Sequence, residues 1–485
     1  MNPGRLVQPL ALIKGRPRVQ RSASVSARKC FGLRLAIVGA IFAGSIPRSD
    51  AQVIAVRKDV VVPPWNALEV FEPSQLRPLV DPDFADSILP EDTPVSTRSY
   101  PEYEPVGIRN GSWMFSPTLT GGGFFDSNVF STNTGMQGDV AGQIGGGLRA
   151  HTLWERHGID IQATTLNTTY SHFNTLDQTD VSLKGNAHYD FDNSTAFLTG
   201  FQAAYLHEGV GTLNSPTGAI QPTPYSLFSV DGTFRKEFGR ATASVGTRVD
   251  SYNYGSVLAA NGTTINQSSR DGQVYKAHGR VDYSFSEKSS VFTAVEGNWR
   301  NLQGAPAQPL SAQAFTQGLS SQGYRVMGGF DLELTHLITG EIAGGYMAQH
   351  FFSSSIGNIE GPTYRAMLTW SPTRLIDVHF NAEQVVTESS DTTSTGIRAS
   401  AVQLGFDYEF RRNIIFSAAT TYERDSFYGE PPRLDYVYDA DVRLKYLLSN
   451  ITSLTLYYHF IRRDSSIPID SFDKHMVGIN ASARF

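Results

Sequence analysis

From Gly111 to the last residue, apolar and polar side chains alternate repeatedly along the chain. In the stretch 274–285, Tyr275, Ala277, Val281, Tyr283 and Phe285 share one parity; Lys276, His278, Arg280 and Asp282 share the other. Residues 401–410 set Val402, Leu404, Phe406, Tyr408 and Phe410 against Gln403, Asp407 and Glu409. Residues 434–448 set Tyr436, Tyr438, Ala440, Val442, Leu444 and Tyr446 against Asp439, Asp441, Arg443 and Lys445. The final stretch places Val477, Ile479, Ala481, Ala483 and Phe485 on one face. A period of two predicts extended strands with one apolar face, since a helix would scatter these residues around its axis. Aromatics recur near the predicted strand ends, as in Tyr189 and Phe191, Phe234 and Phe238, Tyr283 and Phe285. Rings at both margins of an apolar stripe are expected at the two interfaces of a membrane.

The connections alternate in length. Short turns fall at 153–157, 190–194, 237–240, 286–289, 335–338, 371–374, 410–413 and 448–451. Longer polar loops fall between them, at about 122–139, 171–179, 209–223, 254–270, 301–320, 352–361, 388–396, 428–433 and 464–471. Eight short and nine long connections join 18 strands, within a range of 16–18. Short turns on one side and long loops on the other are the asymmetry of a transmembrane barrel, the short side being periplasmic. An even count puts both chain ends on that side. The predicted fold is therefore all-β: a single transmembrane antiparallel up-and-down β-barrel over 111–485, its last strand ending on the aromatic Phe485, a candidate assembly signal. In lipid every backbone N–H and C=O must pair internally, and strands achieve this only by closing. A barrel of this size leaves a lumen too wide for side chains to fill. Loop 301–320 is the expected constriction.

Residues ahead of the barrel read differently. Arg5, Lys14, Arg16, Arg18, Arg21, Arg28, Lys29 and Arg34 precede a ten-residue apolar core, Leu35 to Gly44, and Ser49 and Ala51 are small residues suited to cleavage. Residues 1–51 are expected to be a signal peptide; the apolar core is too short for a membrane helix. Residues 52–110 hold nine of the 24 prolines, with ten acidic and five basic residues. They are expected to form an extended or disordered periplasmic arm, with a plug or a docking peptide for a periplasmic partner as the functional alternatives.

Composition agrees with this reading. Aromatic residues are 11%, charged residues 18%, and mean hydropathy is -0.23. Removing residues 1–51 takes away nine basic residues and one acidic, leaving 31 basic and 45 acidic, a net of −14. An acidic chain offers no general attraction to nucleic acid. The single cysteine, Cys30, lies in the segment expected to be removed, so no disulfide framework or cysteine metal site is expected.

Candidate chemistry lies on the polar faces. The expected pore-lining residues are Arg235, Arg248, Lys276, Arg280, Arg300, Arg325, Asp331, Glu333, Arg365, Asp377, Glu383, Asp407, Glu409, Asp439, Asp441, Arg443 and Lys445. They predict a solvated inner wall of ion pairs, each worth about 0–1 kcal/mol, whose distribution rather than any one member screens solutes. His151 and His157 flank a turn with Glu155, but the spacing is not that of a helical zinc motif, so no metal or other cofactor is expected. His207, His278, His350, His379 and His459 fall on different strands without a nucleophile motif, so an enzyme is not expected.

Three stretches carry a resemblance. SPTLTGGGFFDSNVF (116–130) is similar to the first strand and loop of the proteobacterial family called putative β-barrel porin 2. GGGLRAHTLWERHGIDIQ (145–162) resembles its next hairpin, and RDGQVYKAHGRVDYSFSEKSSVF (270–292) a later one. The resemblance covers about 110–485 and implies an outer-membrane barrel without catalytic residues. Its expected surroundings are outer-membrane lipid, lipopolysaccharide and the barrel-assembly machinery. The implied function is a porin-like channel for small hydrophilic solutes. The alternative is a conduit or accessory protein of polysaccharide export, docked through 52–110. Ala481 and Ala483 depart from the bulkier apolar residues usual in a C-terminal assembly signal.

Overall fold

The computed structural model describes residue 95 and residues 100–286, 288–302, 320–334, 337–352, 357–387, 389–390, 394–429 and 432–485. The expected signal peptide, most of the 52–110 segment and most of loop 301–320 lie outside the described residues.

Among the described residues eighteen long strands follow one another: β1 Trp113–Asp126, β2 Asp139–Thr152, β3 Gly158–Tyr170, β4 Gln178–Asp190, β5 Thr195–Glu208 and β6 Thr223–Phe238. Next come β7 Ala241–Tyr254, β8 Gly272–Ser284, β9 Ser289–Leu302, β10 Ser321–Leu334, β11 Ile338–Phe351 and β12 Ile359–Thr373. The last six are β13 Ile376–Thr387, β14 Ser394–Arg411, β15 Ile414–Gly429, β16 Arg433–Leu447, β17 Thr452–Ser465 and β18 Phe472–Arg484. Each pairs antiparallel with its neighbours in sequence, and β1 pairs with β18 from Thr118↔Arg484 to Asp126↔Met476. That last ladder closes the sheet and removes both free edges. A three-residue strand, Ile108–Asn110, folds back on the start of β1, so the sheet begins slightly before residue 111.

One end of the barrel carries the short turns, the other the long loops. The turns 153–157 and 448–451 have the bounds expected from sequence. The connection between β15 and β16 is shorter than expected, because Arg433 already belongs to β16. The ladder between β12 and β13 is interrupted between Trp370 and Thr373, and β14 is irregular against β15 near both ends.

Alternation sorts the side chains as the sequence predicts. Val245, Val281, Val295, Phe330, Leu404 and Val477 are exposed on the outer face. Exposed aromatics gather near both rims. Tyr189, Phe234, Tyr283, Trp370 and Phe410 lie at the turn end; Tyr205, Phe228, Tyr275, Trp299 and Tyr324 lie toward the loops. In water this surface would be an aggregation hazard; against lipid it is the required solvent face.

Candidate functional site

All 17 expected pore-lining residues lie on the parity opposite the exposed apolar residues, which is the inner face. Contacts between strands that are not neighbours fix that assignment. Arg280 on β8 donates through Nη1 to Glu341 Oε2 on β11 at 2.6 Å. Arg325 on β10 donates to Glu383 Oε1 on β13 at 3.3 Å. Side chains from strands three places apart meet only on the concave side of a sheet.

These contacts belong to one network. Arg280 Nε donates to Asp282 Oδ1 at 2.8 Å. Arg365 lies 3.9 Å from Glu341 and donates to Glu383 at 3.1 Å. Arg325 also reaches Glu296 at 3.3 Å. Three guanidinium groups and four carboxylates therefore alternate across β8 to β13. Arg280 also stacks on the Phe292 ring, 3.7 Å from its centroid. Beside the network, Arg248 donates to Asp250 at 2.6 Å, and Lys276 lies 3.5 Å from the same carboxylate. Arg300 crosses to β13, donating to the Val386 carbonyl at 2.8 Å.

The other expected residues are placed in smaller sets. Arg235 donates to Glu237 at 2.9 Å, and Lys288 to Glu333 at 2.9 Å. His379 bonds Asp407 at 2.9 Å, and Ser417 donates to that same carboxylate. His459 bonds Asp439 at 2.7 Å, and Arg443 pairs with Asp441 at 2.7 Å. Asp331 and Lys445 are half-buried on the inner faces of β10 and β16.

The wall is less solvated than the sequence predicts. Arg248, Arg280, Arg365, Asp377, Glu383, Glu409 and Asp439 are buried. Curvature crowds long side chains together on the concave side, and they cover one another. Removing one partner of a buried pair leaves an uncompensated charge, unlike the loss of a surface pair. Asp377 and Glu409 are covered in addition by the chain ahead of the barrel. The Val95 N–H donates to the Asp377 carboxylate, and the Tyr100 hydroxyl donates to Glu409 Oε2 at 3.2 Å.

Sequence reasoning missed Glu341, the acceptor that ties Arg280 to Arg365. It also missed the loop-end set. There Arg433 grips Asp435 and, at 2.9 Å, Asp470, while Arg463 lies 3.8 Å from Asp435. Arg270, from the β7–β8 loop, makes two bonds of 2.8 and 2.6 Å to Glu208 at the end of β5, both side chains buried. The parity of Arg433, Asp435 and Arg463 was readable from their strands; the partners of Arg270 were not.

The loop-end connection 209–222, between β5 and β6, leaves its own strands. Leu213 is buried against Ile397 of β14 and Phe427 of β15. In a closed ring of 18 those strands are nine places away, on the far side. Arg463 Nη2 of β17 donates to the Gly211 carbonyl at 2.8 Å, and Ser131 Oγ to the Val210 carbonyl at 3.1 Å. Thr217 Oγ1 donates to Asp470 at 2.9 Å. On the return, Ala219 bridges to Ala259 of the β7–β8 loop. Loop 301–320, the constriction expected from sequence, lies outside the described residues from 303 to 319.

No group of histidine and carboxylate side chains among the described residues could hold a metal ion. The family model described as putative beta-barrel porin 2 matches residues 100–485. None of the curated proteins matches the chain. Among solved structures, OpdL of Pseudomonas aeruginosa is similar at 12% identity, covering 78% of this chain and 100% of its own, with a TM-score of 0.40. OccK8 (OprE) of the same organism is 11% identical over 77% of this chain and 98% of its own, with a TM-score of 0.40. The siderophore receptor PirA from Acinetobacter baumannii is 7% identical over 76% of this chain and 80% of its own, with a TM-score of 0.41.

Proposed function

Because the chain belongs to the putative beta-barrel porin 2 family, we propose that it is an outer-membrane channel through which small hydrophilic solutes diffuse. The observation that carries this reading is the division of a closed ring of 18 strands into a lipid-type outer face and a charged inner wall. A ring of that size encloses more space than its side chains fill, so water enters. Fixed charges of both signs on the wall order that water and favour polar over apolar solutes. In this reading the short turns face the periplasm and the long loops the exterior.

Reconstitution of the folded full chain tests the proposal. In planar bilayers it is expected to give discrete conductance steps, and in liposomes swelling with small sugars. A folded barrel that gives neither would sink the channel reading. Capture of a periplasmic export protein, dependent on 52–110, would move the assignment to polysaccharide export.

A further inference from the structure

We propose that residues 209–222 are a fixed crosspiece that spans the loop-end mouth and sets the largest solute that passes. This deepens the channel reading and rests on it. Three observations carry it. First, the segment is anchored on the wall facing its origin: Leu213 is buried with Ile397 and Phe427, nine strands away. A loop over its own strands would make no such contact. Second, the approach to that anchor is shaped for it. Gly211 has φ +84, and a Cβ there would come within 2.2 Å of Ser131 Oγ, leaving no space for a side chain. Ser131 itself has φ 51, the one positive φ of a non-glycine residue among the described residues, and it donates to the Val210 carbonyl. A strained residue held in contact with the crossing segment marks a site the surroundings over-determine. Third, the fastening combines a buried apolar plug with a charge-assisted bond from Arg463, itself beside Asp435. Such a fastening keeps the segment in place while solutes pass on either side.

Two measurements on the full chain test this. In a Cys30→Ser background, Leu213→Cys with Ile397→Cys is expected to form a disulfide on mild oxidation of the folded barrel. That readout does not depend on any transport. Separately, Leu213→Asp with Arg463→Ala, which cuts both fastenings, is expected to raise single-channel conductance about two-fold or more and to admit larger sugars into liposomes. Replacing 212–215 with four glycines serves as a second variant should the first fold poorly. The oxidised double-cysteine chain is expected to conduct as the unaltered chain does. Absence of the disulfide in a folded barrel would overturn the crossing itself. A disulfide with unchanged conductance and size limit in the cut variants would overturn the constriction. A disulfide in a barrel that conducts in no variant would remove the channel reading, and the constriction with it, while leaving the crossing intact.

Discussion

Glu341 receives Arg280 from three strands away and stands beside Arg365 on the next strand, so two guanidinium groups share one carboxylate. Both members of the Arg280–Glu341 pair are buried. Replacing Glu341 with alanine leaves Arg280 bonded to Asp282 and Arg365 bonded to Glu383, and about 1–3 kcal/mol of stability should be lost. Urea unfolding of the reconstituted barrel would measure it; a loss within the range of surface pairs would show that water reaches the network. Its role was not legible in the sequence. Around it Ala343, Gly345 and Met347 share its parity, while Gly344 and Ala348 share the other, so neither face looks polar. Asp192 offers a contrasting test in the β4–β5 turn. Its carboxylate accepts from the Ser194 N–H at 2.7 Å, the Ser194 hydroxyl at 2.8 Å and the Thr195 hydroxyl at 3.1 Å. The backbone bond from Ser194, then its hydroxyl, hold the pKa down at about 2. A depressed carboxylate stabilises the fold above its unfolded value and loses that contribution as pH falls through about 2. Carboxyl carbon shifts followed by NMR should show the turn intact at pH 4, and Asp192→Ala should abolish the step.

At the scale of the strand, parity decides the consequence of a substitution. Leu183 is exposed on the outer face of β4, and Asn186, three residues on, is exposed on its inner face. Leu183→Arg sets a cation against lipid and should cost about 2–4 kcal/mol near the midplane. Asn186→Arg places the same group in the aqueous lumen, and its cost should be small. Equal losses in the two variants, read by unfolding in vesicles, would contradict the assignment of faces. Strand limits were largely legible because turn residues and alternation are local. The loop expected from about 122 begins later in the structure, after Gly121, Gly122 and Gly123. Those glycines belong to β1, which runs on to Asp126. At Gly122 a Cβ would lie 2.3 Å from the Ile479 carbonyl of β18, so the residue is small because the closing ladder crowds it. A glycine required by a partner more than 350 residues away looks in sequence like a glycine that breaks a strand.

At the scale of the whole molecule, the conductance expected in reconstitution depends on closure and on the crosspiece together. Closure supplies the lumen, and the crosspiece narrows it. The strand alternation, the two faces and the succession of short turns and long loops were already determined by the sequence. Each is a local property: a period of two needs only neighbouring residues, and a connection's length needs only its own. The family followed from the same stretches. Only the tertiary structure decided which charges meet. Parity placed Arg280 and Arg365 on the inner wall, but their joining through Glu341 depends on curvature and on strands three places apart. It also decided that 209–222 crosses the mouth, because the seat of Leu213 is made by Ile397 and Phe427. Ile397 and Phe427 are cross-strand partners on β14 and β15, and that seat comes to face β5 and β6 only when β18 pairs with β1 and the sheet becomes a ring.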